Sequence, residues 1–123
     1  MEPKVFLTIP TRHLDESIAF YRDVLQFRLK ERLNRPNGIV LVFLTHADGF
    51  TVEFVAGPNT PAGEVGPGAP LLTFMIQDFS DITARLLAAG MPVPAAMALP
   101  NGISMLRIKD PNGVMVSFVA GKL

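Results

Sequence analysis

Three short motifs each occur twice in this chain, in the same order both times, and this repetition restricts the possible folds more than any other feature. The second copy follows the first by 64 residues for two motifs and by 65 for the third. Such spacing indicates a tandem duplication, with one extra residue between the first two motifs of the first half. The pairs are "LTI" (7–9) with "LTF" (72–74), "PNGI" (36–39) with "PNGI" (100–103), and "DGFTVEF" (48–54) with "NGVMVSF" (112–118).

Both halves predict the same order of elements, a strand, a helix and three further strands (βαβββ). Leu14, Ile18, Tyr21 and Leu25 recur at helical spacing. The Asn-Gly and Asp-Gly turns separate runs rich in β-branched and aromatic residues, which is typical of a strand meander. The predicted strands are 4–9, 27–33, 39–45, 50–56, 71–76, 93–99, 103–109 and 114–120, and the predicted helices are 14–27 and 79–89.

The ends of the second helix carry clearer signals than those of the first. Asp78 is predicted to be its N-cap and Gly90 its C′ residue. His13 and Gln26 take these places in the first half, and a non-glycine residue at C′ costs about 1 kcal/mol. The prolines of 93–99 predict an edge strand or partly a loop.

We expect one domain made of two modules, 1–56 and 71–123, with 57–70 as a linker. A chain of 123 residues buries roughly two-thirds of its unfolded surface without disulfides or a structural metal. The stretch 57–70 is rich in proline and glycine and lacks the G-x-x-x-x-G-K-[ST] pattern of a phosphate-binding loop. A linker is therefore the preferred interpretation.

The composition excludes several classes of function. The 11 basic residues equal the 11 acidic ones, whereas a general nucleic-acid binder needs a basic face. There is no cysteine, which excludes disulfides and thiolate chemistry. We find neither an apolar signal segment at the N-terminus nor a stretch long enough to span a membrane, so we expect a cytoplasmic protein without nucleic-acid or membrane partners.

Two segments add to the repeated order of elements: "ESIAFYRDVLQF" follows the first strand, and "DPNGVMVSF" lies near the end of the chain. Together with the two modules they give a resemblance to a known superfamily, and this resemblance covers essentially the whole chain. Paired βαβββ modules with these segments resemble the vicinal oxygen chelate superfamily, which includes glyoxalase I, extradiol dioxygenases, and fosfomycin- and bleomycin-resistance proteins. The resemblance implies an α+β fold in which eight strands of a mixed, curved sheet form a cup, with the helices outside. It does not fix the chemistry.

In metal-using members of this superfamily, the ligands come from four positions that correspond here to Phe6, Glu53, Leu71 and Ser117. Divalent metals need at least three converging nitrogen or oxygen donors, and these positions offer one carboxylate. The two histidines do not supply the rest. His13 and His46 are expected at a helix start and in a turn. We therefore predict no metal and no cofactor.

Because side chains alternate along a strand, further residues of the same strands should point to the inner surface of the cup together with these four. Its mixture of threonines, methionines and one carboxylate suits a small amphipathic or largely apolar ligand. The alternative is a second core closed by side chains or by a partner chain, although threonines and a glutamate make a poor dry core. The predicted ligand-binding residues are Phe6, Thr8, Thr51, Glu53, Leu71, Thr73, Met75, Met115 and Ser117, with Val55 and Val119 on the same face; Leu7, Ile9, Phe54, Leu72, Phe74, Val116 and Phe118 should point toward the helices.

Glu53 is the candidate catalytic residue. It would act as a base or hold a basic group of the ligand, with Thr8, Thr73 and Ser117 as neighbours that orient it. The alternative, which is equally open, is that those hydroxyls or solvent satisfy the hydrogen bonds of the carboxylate and that Glu53 has no functional role. Alternation within 103–109 does not settle whether Arg107 points inward.

Two classes of function follow. The first is a metal-free protein that binds or sequesters a small molecule, as the resemblance to bleomycin-resistance members implies. The second is an enzyme of the lyase, isomerase or dioxygenase type, either metal-free with Glu53 as base or metal-dependent through unrecognised ligands. The resemblance also implies a homodimer.

Overall fold

In a computed structural model, which describes residues 5–60 and 68–121, the chain has an α+β fold as predicted. It divides into two compact units, Met1–Gly63 and Glu64–Leu123, here called module 1 and module 2. The border lies within the predicted linker, of which 61–67 fall outside the described residues, as does residue 4 of the first predicted strand. No helix in the described part is long and apolar enough to cross a membrane.

Module 1 has the predicted βαβββ order. Its strands form one mixed sheet in the order β1-β4-β3-β2, in which β1 runs parallel to β4 and the other pairs are antiparallel. The first and last strands of the module are thus parallel neighbours, which requires a long connection between them. The elements are β1 (Leu7–Pro10), α1 (Leu14–Ala19), β2 (Arg28–Asn34), β3 (Val40–Thr45) and β4 (Thr51–Ala56).

Module 2 repeats this topology, with the strand order β5-β8-β7-β6 and β5 parallel to β8. Its edge strand β6 has only two residues, which confirms the expectation for the proline-rich stretch 93–99. The eight predicted strands therefore form two sheets of four, and their closure into one cup stays a prediction. The elements are β5 (Leu72–Ile76), α2 (Ser80–Ala88), β6 (Met97–Ala98), β7 (Ser104–Lys109) and β8 (Met115–Ala120).

Both last strands direct a phenylalanine into the core of their module. Phe54 and Phe118 are fully buried at equivalent positions. The ring of Tyr21 packs edge-on against Phe54 with centroids 5.0 Å apart, so the helical segment covers this side of the module 1 sheet. In module 2 Phe74 stacks on Phe118 at 5.1 Å. The aromatic core of each module thus lies on one face of its sheet.

The first helix is shorter than predicted and changes its winding. The α-helix Leu14–Ala19 continues as a π-helical turn over Phe20–Val24, in which the amide of Leu25 donates to the carbonyl of Phe20 at 3.2 Å. A π-helical turn accommodates one residue more than the same length of α-helix. It therefore explains why the repeat spacing changes from 65 to 64 residues across this helix.

The prediction that Asp78 is the N-cap is wrong by one residue, because α2 begins at Ser80 and Phe79 takes the N-cap position. Asp78 still accepts a hydrogen bond from the Ser80 amide at 2.9 Å. Hydrogen bonds from the Ser80 hydroxyl and amide hold the pKa of Asp78 below its usual value. His13 is the N-cap of α1 but makes no capping hydrogen bond through its side chain.

Gln26 and Gly90, which are equivalent in the repeat, end the two helical segments in the left-handed backbone region. Their φ angles are 63° and 70°. The following residues close the helix ends: the Phe27 amide donates to the Tyr21 carbonyl at 2.8 Å and the Met91 amide to the Leu86 carbonyl at 2.9 Å. The strain expected at a non-glycine residue is therefore present at Gln26.

We expect Gln26→Gly to raise the free energy of unfolding by about 0.5 kcal/mol, because the relief of left-handed strain exceeds the added entropy of the unfolded chain. Gly90→Ala is the matched opposite change and should lower it by about 1 kcal/mol. A Cβ atom at Gly90 would meet nothing within 4 Å, so only the backbone angle is tested. Urea denaturation measures both variants. A loss of stability in Gln26→Gly would contradict the argument.

Candidate functional site

Glu53 lies at the centre of the module 1 sheet, on the face opposite Phe54. Its register partners are Thr8 on β1 and Phe43 on β3. The Thr8 hydroxyl donates to Glu53 Oε1 at 2.8 Å, which confirms Thr8 as a neighbour that orients the carboxylate. Glu53 is only 9% exposed, yet no other described residue donates a hydrogen bond to its second oxygen. The carboxylate is thus held at one oxygen and available at the other.

Aromatic rings flank this carboxylate. Phe6 packs edge-on against Phe43 with ring centroids 5.5 Å apart, although Phe6 precedes β1 and lies outside the regular strand. Phe6 remains 43% exposed. Thr45 and Thr51 share a hydroxyl hydrogen bond of 3.0 Å on the same face. This side of the sheet, which we call the open face of module 1, therefore combines an exposed aromatic surface with hydroxyls and one acid.

Ser117 occupies the position in module 2 that Glu53 holds in module 1. It pairs with Thr73 on β5 and with Arg107 on β7. Arg107 Nε donates to Ser117 Oγ at 3.1 Å. This contact settles the orientation that alternation alone left open: Arg107 lies on the face of β8 that carries Met115, Ser117 and Val119, which we call the open face of module 2.

Methionines contribute much of the apolar surface on the open face of module 2. Met75, two residues from Thr73 on β5, is 65% exposed, and Met115 is partly exposed. Met97 on the edge strand pairs with Met105 on β7. Leu71 is also exposed, although it precedes β5 rather than belonging to it. The predicted module 2 residues therefore share a sheet face or lie next to it.

The donors present do not fit a divalent metal. Glu53 is the only carboxylate among the four family positions, and a metal at Ser117 Oγ would face the Arg107 guanidinium that already donates to this oxygen. Within residues 5–60 and 68–121, no three histidine or acidic side chains form a group that could hold a metal. His13 lies 3.5 Å from Glu16 at the helix start, and His46 lies 3.2 Å from Asp48 in a turn, as predicted.

Sequence reasoning missed a cavity of about 440 Å³ in module 1. It lies between the end of β4, the Pro-Asn-Gly turn and the segment that was interpreted only as the start of the linker. Thr60 shapes that segment, since its hydroxyl accepts from the Gly57 amide at 2.9 Å and its carbonyl accepts from Arg12 Nε at 2.8 Å. The cavity is lined by Pro10, Asn37, Ile39, Val55, Ala56, Gly57, Pro58, Asn59 and Thr60, of which only Val55 belongs to the predicted inner surface.

Thr8→Val should lower the free energy of unfolding by about 1 kcal/mol at neutral pH, because it removes the donor to a buried carboxylate and keeps the side-chain shape. Thr73→Val is the matched control at the equivalent position, where the register partner is Ser117 and not a carboxylate, and should change stability by less than about 0.5 kcal/mol. Urea denaturation distinguishes the two. Equal effects would show that the Thr8–Glu53 bond contributes nothing specific.

Comparison with known proteins places the chain in a family. A sequence profile of the Glyoxalase/Bleomycin resistance protein/Dioxygenase superfamily matches residues 5–118. The protein named "Uncharacterized protein YwbC" from Bacillus subtilis (strain 168) is 31% identical over 116 residues, which cover 89% of this chain and 90% of that protein.

Solved structures show the same fold. A glyoxylase/bleomycin resistance protein/dioxygenase domain from Frankia sp. EAN1pec has a TM-score of 0.78 at 19% identity, covering 99% of this chain and 93% of that one. Lactoylglutathione lyase from Agrobacterium tumefaciens has a TM-score of 0.65 at 26% identity, covering 98% and 96%. The chain belongs to the Glyoxalase/Bleomycin resistance protein/Dioxygenase superfamily.

Proposed function

We propose that this protein binds a small amphipathic molecule on the open faces of its sheets, without a metal. The observation that carries the proposal is the pairing of a buried, half-satisfied carboxylate with an exposed aromatic surface. Glu53 keeps one oxygen without a described donor, while Phe6 leaves part of its ring in solvent. A ligand with an apolar body and a hydrogen-bond donor would satisfy both groups.

Exposure on the open faces argues against a second core closed by the chain's own side chains. Phe6, Leu71 and Met75 are large apolar residues and each is at least 43% exposed. A closed core would bury them, since covering a large apolar side chain is worth about 1.5–3 kcal/mol. These side chains are therefore available for a ligand, as binding surfaces of this kind require.

The first test uses the uncharged fluorescent probe N-phenyl-1-naphthylamine. We expect saturable binding that weakens about fivefold in Phe6→Ala, because the variant removes an aromatic contact. Leu87→Ala is the matched control, since Leu87 is an exposed apolar residue on the helix α2 and belongs to no strand of either sheet. Fluorescence titration gives the dissociation constants. Absence of saturable binding, or equal losses in both variants, would overturn the proposal.

An enzymatic role is the second candidate, because the half-satisfied carboxylate of Glu53 is placed as a general base would be. The base would take a proton from a bound ligand while Thr8 holds the other oxygen. Glu53→Gln keeps the shape and the contact with Thr8 but cannot accept the proton. Unchanged ligand affinity and turnover in this variant would exclude a functional role for the residue.

Metal analysis separates the metal-free proposal from a metal-dependent enzyme. Protein purified without a histidine tag should contain far less than one equivalent of metal by elemental analysis, because the four family positions offer only one carboxylate. Titration with nickel, zinc, manganese and iron(II) should give no stoichiometric binding and no rise in thermal stability. One tightly bound equivalent would contradict the proposal and favour lyase or dioxygenase chemistry.

The proposal includes a cytoplasmic location and a homodimer, with no nucleic-acid or membrane partner. Zero formal charge supports the absence of a nucleic-acid partner, since counterion release from phosphates requires clustered basic residues. The exposed apolar residues on the open faces would be compatible with burial against a second chain as well as against a ligand.

A further inference from the structure

We propose that Arg107, held by Ser117, forms an anion-recognition site on the open face of module 2, so that the ligand is an amphipathic anion. This inference rests on the proposed binding function and names its ligand class: an apolar body that carries a carboxylate, sulfonate or phosphate group.

The geometry orients the guanidinium and leaves most of it free. Ser117 is only 2% exposed and accepts from Arg107 Nε, whereas Arg107 itself is exposed. A guanidinium has five N–H donors, and this contact uses the one at Nε. The two terminal nitrogens keep the fork that binds a carboxylate or phosphate in a bidentate manner. Because the side chain is already tethered, less rotamer entropy is lost when an anion binds.

The positive charge has no partner on this face. Arg107 forms no ion pair with any described residue, and its register partner is the neutral Ser117. Lys109 lies two residues along β7, on the same face, and adds a second positive charge. The nearby acid, Asp110, is buried and accepts hydrogen bonds from the Asn112 and Val114 amides in the turn. Two cationic side chains with no ion pair to any described residue favour an anionic ligand.

The internal repeat indicates that the fold does not require this arginine. The equivalent residue in module 1 is Phe43, which pairs with Glu53 as Arg107 pairs with Ser117. Both modules form the same four-stranded sheet despite this exchange of an aromatic ring for a cation. The arginine therefore contributes to something other than the fold of the sheet.

The surroundings supply a site for the apolar part of such a ligand. Met75 and Met115 expose thioether side chains on the same face, and Thr73 adds a hydroxyl beside Ser117. Methionine adapts to irregular ligand shapes. A cation fixed at the centre of a methionine surface matches the two ends of an amphipathic anion.

Two fluorescent probes with similar rings test this inference: 8-anilino-1-naphthalenesulfonate, which carries a sulfonate, and the uncharged N-phenyl-1-naphthylamine. We expect Arg107→Gln to weaken binding of the sulfonate about tenfold and that of the uncharged probe less than twofold. Arg107→Lys, which keeps the charge but not the planar fork, should lose less. Ser117→Ala, which frees the guanidinium, should also weaken sulfonate binding selectively.

Arg22→Gln is the charge-matched control, because Arg22 is an exposed helix residue paired with Asp23 in module 1. It should leave the affinity for both probes unchanged, and circular dichroism should show every variant folded. If Arg107→Gln weakens both probes equally, or weakens the sulfonate no more than Arg22→Gln does, the anion site is overturned while the binding function stands. If neither probe binds the unmodified protein saturably, both proposals fail.

Discussion

The parallel pairing of the first and last strands within each module is the constraint on which the rest of the structure depends. In module 1 it aligns Thr8 with Glu53, and in module 2 it aligns Thr73 with Ser117. Residues 45 positions apart in sequence thereby come within hydrogen-bond distance. Because side chains alternate along a strand, the same pairing also directs Phe54 and Phe118 into the two cores. The buried face and the open face of each sheet follow from one register.

Much of this arrangement could be predicted from the sequence because a duplicated chain provides its own comparison. The offsets of 64 and 65 residues identified equivalent positions, and alternation predicted that Phe54 and Phe118 point into the cores, as their ring contacts show. Arg107 could not be assigned in this way. Alternation within one strand fixes which residues share a face but not which face it is, and only the register with Ser117 supplies that information.

The remaining differences arise where local signals are weak or where loops decide the outcome. Asp78 was expected to be the N-cap of α2, but Phe79 takes that position, and the Asp78 carboxylate accepts a hydrogen bond from the Ser80 amide. No sequence motif predicts the π-helical turn at Phe20–Val24, although the one-residue change in repeat spacing indicates an inserted residue in this part of the chain. The cavity in module 1 is built largely from turn and loop residues, to which periodicity does not apply.

The core face and the open face of each sheet differ in the substitutions that they tolerate. Core-facing positions hold similar residues in both modules, such as Val52 with Val116, while the neighbouring positions on the open faces have diverged to glutamate and serine. A substitution of an exposed residue on an open face leaves the closely packed core intact. Duplication of one scaffold thus gives two sheet faces whose exposed side chains can change separately, each at little risk to folding.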